Sequence, residues 1–183
     1  MSSHAITEVI VNRILVVEDD RAEADFLKTF LGQKKFAVDL ARDGGQARAA
    51  FTMHKPDFVL MDVILPHEVS GFEICEWMKS QSDTIPVMML TAIDMDDSRD
   101  LARRVGADGY MTKPYDPDEL VKSIHDVANA LWAKHHLGAT DTHEVISFAC
   151  PECGKNLRVQ SSYRGRMLNC SKCGQHVQVP RSA

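Results

Sequence analysis

Four groups suited to handling phosphate beside a divalent cation occur in order along the first 115 residues. Glu18, Asp19 and Asp20 follow Ile-Leu-Val-Val, Asp62 follows Phe-Val-Leu-Met, Thr91 follows Met-Met-Leu, and Lys113 precedes Pro114. Each closes an apolar run, which places it at the carboxyl end of a buried strand, where open parallel sheets bind their ligands. A carboxylate can accept a phosphoryl group if a cation screens its repulsion from the incoming anion. Mg²⁺ prefers carboxylate oxygens and water in octahedral geometry, and it would also stabilise charge on the group in transfer. Lys113 would pair with a phosphoryl or carboxylate oxygen, and Thr91 would donate its hydroxyl to one. Taken singly, each acid reads first as the N-cap of the helix that follows. The ordered set, converging on one sheet edge, favours a site.

A second constellation lies near the C-terminus. Cys150-Pro-Glu-Cys153-Gly and Cys170-Ser-Lys-Cys173-Gly are two C-x₂-C-G units with sixteen residues between the pairs, a Cys₄ zinc spacing. Each x₂ turn brings two thiolates within reach of one ion. Gly154 and Gly174 allow the left-handed conformation that would point backbone N–H groups at the sulfurs. Four thiolates in a tetrahedron suit Zn²⁺ and leave no open position for catalysis. A segment of about 35 residues cannot hold a core alone, so metal binding would supply its folding energy. The pattern resembles a zinc ribbon, with rubredoxin-like iron or a redox dithiol pair as alternatives.

The elements that must position these groups are legible in the hydrophobic pattern. Apolar runs stand at 14–17, 36–40, 58–61, 87–90 and 109–111. Between them, Ala24, Leu27, Phe30 and Leu31 share one helical face, as do Ala47, Ala50 and Phe51. A third helix starts after Gly71, a fourth spans about 97–105, and a fifth runs from about 117 to 132. Strands alternating with helices predict a parallel sheet with helices on both faces. The third to fifth runs are apolar at consecutive positions, as expected of strands covered on both faces. Residues 1–12 read as a leader and 134–146 as a linker, between a domain at 13–133 and a ribbon at 147–180. No repeat or low-complexity tract is visible.

Charge separates the two parts. Residues 1–134 carry 15 Lys/Arg and 23 Asp/Glu, a net −8, whereas residues 135–183 carry 6 and 3, a net +3. Only the tail could be a nucleic-acid binder, through Lys155, Arg158, Arg164, Arg166, Lys172 and Arg181 with Tyr163. No apolar stretch is long enough to span a bilayer, and the first residues do not read as a signal peptide. The expectation is a reduced, cytoplasmic setting without membrane partners. Cys75 reads as a buried small hydrophobe. His67, His135, His136 and His143 are assigned no role.

From about Arg13 to Ala133 the chain resembles the receiver domain of bacterial two-component response regulators. The resemblance rests on the ordered site and on LVVEDD, MDVILP, Ala92 after Thr91, and GADGYMTKPY. It implies a flavodoxin-like (βα)₅ doubly wound sheet of order 2-1-3-4-5, here followed by the small zinc ribbon. It implies that Glu18 and Asp19 bind Mg²⁺ together with Asp62 and the backbone carbonyl of Ile64, and that Asp62 is phosphorylated. Thr91 and Lys113 would contact the phosphoryl group, Tyr110 would be the aromatic switch, and the Lys113–Pro114 bond would be cis. The partners implied are a histidine kinase or phosphotransfer protein and a downstream protein or nucleic acid. One departure is visible: four residues separate Pro66 from Gly71, where the common pattern has three. A turnover phosphatase would need a general acid two positions past the acceptor, and Ile64 cannot transfer a proton. The expectation is therefore a switch that turns over only its own phosphoryl group, not an enzyme.

Overall fold

A computed structural model describes residues 9–66, 69–136, 145–160, 163–170 and 172–181. Leader residues 1–8, His67 and Glu68 of the lengthened loop, and linker residues 137–144, His143 among them, lie outside the described residues. Two compact units emerge, Val11–Leu131 and a second built mainly from the C-terminal segment beginning at Trp132.

In the first unit, strands β1 (Arg13–Val17), β2 (Ala37–Ala41), β3 (Phe58–Met61), β4 (Val87–Thr91) and β5 (Gly109–Thr112) alternate with helices. The helices are α1 (Arg21–Gln33), α2 (Gly44–His54), α3 (Gly71–Gln81), α4 (Asp96–Arg104) and α5 (Pro117–His136). The strands form one sheet in the order β2-β1-β3-β4-β5, parallel at every pairing. This is the expected flavodoxin-like topology.

Strand periodicity sends alternate side chains to opposite faces. Leu15, Val17, Val59, Met61, Val87 and Met89 pack with Ala47 and Phe51 of α2, Ile74, Cys75 and Met78 of α3, and Ala102 of α4. The intervening Ile14, Val16, Phe58, Leu60, Met88 and Leu90 are equally buried. They face the other layer, leaving α1 (Ala24, Leu27, Leu31) and α5 (Leu120, Ile124, Ala128) to cover them. Burying such side chains contributes about 1.5–3 kcal/mol each, which anchors the strand ends that carry the site.

Two boundaries differ from the sequence reading. Strand β5 is half-buried at every position, because strand order makes it an edge, so its apolar run does not mark two covered faces. Helix α5 continues to His136, since Ala133, Lys134 and His135 offer no breaker and Gly138 is the first.

The second unit contains two antiparallel hairpins, β6 (Val145–Ala149) with β7 (Asn156–Gln160) and β8 (Met167–Asn169) with β9 (His176–Gln178). Strand β6 begins two residues before the expected ribbon start. The hairpins repeat one design. In the first, Cys150 N–H donates to Lys155 O at 2.8 Å and Gly154 N–H to Cys150 O at 2.9 Å. In the second, Cys170 N–H donates to Gln175 O and Gly174 N–H to Cys170 O, both at 2.8 Å. The sequence reading saw no repeat because beyond the C-x₂-C-G turns the halves share only scattered Val and Leu. Ile146, Leu157, Val159, Leu168, Val177 and Val179, with Cys150 and Cys170, make its small core.

Candidate functional site

Strand register brings the acids together. Val17 pairs with Met61, and Asp62 N–H donates to Val17 O at 2.9 Å, so the residues just past β1 and β3 emerge side by side. Thr91 pairs with Thr112, and Lys113 N–H donates to Thr91 O at 2.9 Å. The loop after β3 returns through an Ile64–Ser70 bridge to Gly71, whose N–H donates to Val63 O at 2.8 Å. A Cβ at Gly71 would lie 1.9 Å from the Asp62 carbonyl oxygen. Only glycine lets α3 start that close to Asp62.

The carboxylate oxygens of Glu18, Asp19 and Asp62 lie within 4.8 Å of one another. Oxygens this close can be drawn onto one Mg²⁺, whose Mg–O distances of about 2.1 Å put adjacent ligands roughly 3 Å apart. Glu18 and Asp62 are buried and Asp19 is exposed. The third acid is a cap: Asp20 Oδ1 accepts the Glu23 N–H at 2.8 Å and opens α1. Lys113 Nζ reaches Glu18 Oε2 at 2.6 Å, Asp62 Oδ2 at 2.8 Å and Glu23 Oε2 at 3.0 Å.

Burial pushes the Glu18 carboxyl up to about 7, against the opposing pull of Lys113. Three carboxylates side by side are a donor set that fits the expected ion. Burial also works against the Lys113 charge, but hydrogen bonds to Asp62, Glu18 and Glu23 outweigh it and hold its pKa above the ordinary lysine value. Ile64, whose carbonyl the resemblance assigns to the ion, donates its N–H to Asp62 Oδ1 at 3.2 Å. Its side chain is 60% exposed at the site mouth.

The model of the response regulator receiver domain matches residues 14–125. The chain belongs to the response regulator receiver family. The response regulator MprA of Mycobacterium sp. (strain KMS) is 38% identical over 109 residues, covering 60% of this chain and 47% of that protein. The alkaline phosphatase synthesis transcriptional regulatory protein SphR of Synechococcus elongatus is 38% identical over 119 residues, covering 46% of its length. The chain thus spans about half the length of the curated relatives it matches.

Among solved structures, a CheY-like receiver domain protein from Methanospirillum hungatei superposes with a TM-score of 0.64 at 26% identity. The match covers 68% of this chain and 98% of that one. The BeF₃-activated receiver domain of Klebsiella pneumoniae RstA gives a TM-score of 0.61 at 29% identity, covering 64% and 98%.

In this receiver the two residues assigned to the switch meet at one residue, Ile93, whose N–H and carbonyl they engage separately. Fully buried Thr91 accepts the Ile93 N–H on Oγ1 at 3.3 Å, while the Tyr110 hydroxyl donates to Ile93 O at 2.6 Å. The Arg99 guanidinium lies 4.7 Å from the Tyr110 ring centroid and is held there by Asp94 at 2.7 Å. Sequence reasoning missed Arg99, Asp94 and Glu23. An acid in the first turn of α1 reads as a partner for the helix dipole, and nothing local shows that Glu23 faces Lys113, 90 residues on.

The four tail cysteines also converge, with all sulfurs within 4.8 Å of one another. Cys150 and Cys173 are 3.7 Å apart and Cys153 and Cys170 are 3.6 Å apart. A tetrahedron with Zn–S bonds of about 2.3 Å has edges of about 3.8 Å, so the set fits one zinc. Gly154 and Gly174 have φ of 71° and 68°, as expected. Their own N–H groups, however, bond the Cys150 and Cys170 carbonyls, because the 5→1 closure of each turn takes them. Around Cys170, burial raises the thiol pKa, but the N–H groups of Cys173 and Lys172 lead the opposing effects and bring it to about 7. Cys75 lies apart, buried in the receiver core.

Proposed function

We propose that Asp62 accepts a phosphoryl group from a histidine kinase or phosphotransfer protein, and that the receiver then signals through the Thr91–Ile93–Tyr110 connection. The observation that carries this reading is the convergence of Asp62, Glu18, Asp19 and Lys113 at the ends of β1, β3 and β5. A carboxylate oxygen of Asp62 attacks phosphorus, a P–O bond forms, and the P–N bond to the donor imidazole breaks with its electron pair left on nitrogen. Glu18, Asp19 and Asp62 would hold Mg²⁺, which supplies neutralising charge beside the acceptor. Lys113 donates to a phosphoryl oxygen and fixes the orientation of the group. Thr91 donates its hydroxyl to another, releasing the Ile93 N–H. Moving Ile93 shifts the carbonyl that holds Tyr110 and so biases the face around α4 and β5.

The domain acts as a switch in which Asp62 is loaded and cleared, not as a turnover enzyme. We read the cysteine tail as a zinc ribbon serving protein interaction as the output, in a cytoplasmic regulator. Pull-down with full-length protein, phosphorylated against unphosphorylated, tests the output. A protein captured in one state supports this reading, and salt-dependent retention on nucleic acid in its place would replace it.

A further inference from the structure

Lys113 has more partners than a phosphoryl site needs. Its ammonium donates hydrogen bonds to Glu18 at 2.6 Å and Asp62 at 2.8 Å and makes a third ion pair with Glu23 at 3.0 Å. Glu18 and Asp62 belong to the trio whose oxygens converge for a cation, whereas Glu23 does not. Glu23 is nonetheless firmly placed. Its N–H is fixed on the Asp20 cap at 2.8 Å, and its second oxygen, Oε1, accepts from the Tyr115 hydroxyl at 3.3 Å. Its side chain is 25% exposed and that of Lys113 15%.

Resting on the assignment of Asp62 as acceptor, we propose that Glu23 is a positioning residue that restrains Lys113 and slows phosphoryl entry. For Lys113 to turn to a phosphoryl oxygen, one of these three contacts must loosen. Asp62 loses its own charge when it becomes a mixed anhydride, and Glu18 can turn to the cation, so both loosen their hold as the reaction proceeds. Glu23 keeps its full charge throughout and competes with the phosphoryl oxygens for the same ammonium. The charge count points the same way. A divalent cation and one ammonium balance Glu18, Asp19 and Asp62, and Glu23 is a fourth negative charge facing an anionic donor.

The test is the Mg²⁺-dependent labelling rate of the full-length protein with radiolabelled acetyl phosphate, for the parent, Glu23→Gln, Glu23→Asp and Asp62→Asn. Glu23→Gln removes the charge with the shape kept, and should label about two- to fivefold faster, the size expected of one partly screened ion pair. Glu23→Asp keeps the charge but withdraws the carboxylate from Lys113 by one methylene. It should also label faster, because the restraint acts through contact. Equal or slower labelling of Glu23→Gln overturns the proposal. So does a fast Glu23→Gln beside a Glu23→Asp that matches the parent, since the effect would then be bulk charge. A parent that takes no label, or an Asp62→Asn variant that labels as the parent does, overturns the Asp62 reading and this proposal with it.

Discussion

The two halves of this chain place reactive groups by opposite means. In the receiver, Glu18, Asp62 and Thr91 stand at the ends of strands whose interior residues Ile14, Leu15, Leu60, Met61, Met88 and Met89 are at most 1% exposed. The site stands at the edge of a packed sheet whose apolar core holds the strand ends in place. In the tail, two short hairpins share eight buried residues, and two of these are Cys150 and Cys170. There two of the four clustered cysteines are part of the core, so the candidate metal site and the fold share residues. A large core can hold charged groups close together and leave them available for chemistry, whereas a small one spends its functional groups on holding itself together.

The strongest way to break this contrast is to remove the metal. Chelation, or Cys170→Ser, should unfold the ribbon while leaving the receiver, because metal binding to such segments contributes on the order of 10 kcal/mol or more. Elemental analysis should find one zinc per parent chain, lost in Cys170→Ser and kept in Cys75→Ser. The receiver's helical circular dichroism and melting transition should persist. Joint melting of both halves, or a parent without zinc after purification under reducing conditions, would contradict the contrast.

The next effect runs the other way, from packing to the receiver's site. Gly71→Ala forces a methyl into the Asp62 carbonyl, 1.9 Å from an ideal Cβ. It should cost about 3 kcal/mol or more and lower the labelling of Asp62, with zinc content unchanged. Denaturant unfolding with parallel metal analysis checks this; unchanged receiver stability would show that the loop can move aside.

Phosphoryl lifetime is a smaller, sharper measure. Ile64 and the half-buried Ile93 offer water no hydrogen bond beside Asp62, so phospho-Asp62 should be long-lived for its class. Ile64→Asn combined with Ile93→Glu should speed phosphate loss severalfold by orienting water. A double variant that decays no faster than the parent would assign the lifetime to another group.

The smallest effect concerns the fifth cysteine. Burial, with Asp108 close by, pushes the Cys75 thiol up to about 12. A thiol reagent should therefore spare Cys75 in the native protein and modify the four tail cysteines once zinc is stripped. The same shift carries a pH signature. A thiol whose pKa is raised from 9.0 to about 12 on folding contributes stability that is present below about pH 9 and lost as the pH rises towards 12. Stability that instead rises across that window would reverse the sign.

Legibility followed the same division. Strands β3 and β4 were readable because residues covered on both faces leave unbroken apolar runs, and the candidates Glu18, Asp19, Asp62, Thr91 and Lys113 were readable because each stands at or just past the end of a strand. Strand β5 was misjudged in burial because edge position is a property of strand order, invisible in Gly-Tyr-Met-Thr itself. Glu23, Asp94 and Arg99 carry no local signal, since each is an ordinary charged residue in or beside the first turns of a helix and only tertiary contact gives it a role. In the tail, cysteine spacing pointed to the four sulfurs that converge, but the repeated hairpins were hidden because so small a core leaves too few apolar residues to show a period.

The central claim is that Asp62 is the acceptor of this receiver. Full-length protein and its Asp62→Asn variant, incubated with radiolabelled acetyl phosphate and Mg²⁺ and followed by site mapping, test it most directly. One acid-stable, base-labile label per chain at Asp62, absent from the variant, is the result this account predicts. Label that persists in Asp62→Asn, on Asp19 or Asp20, would contradict it.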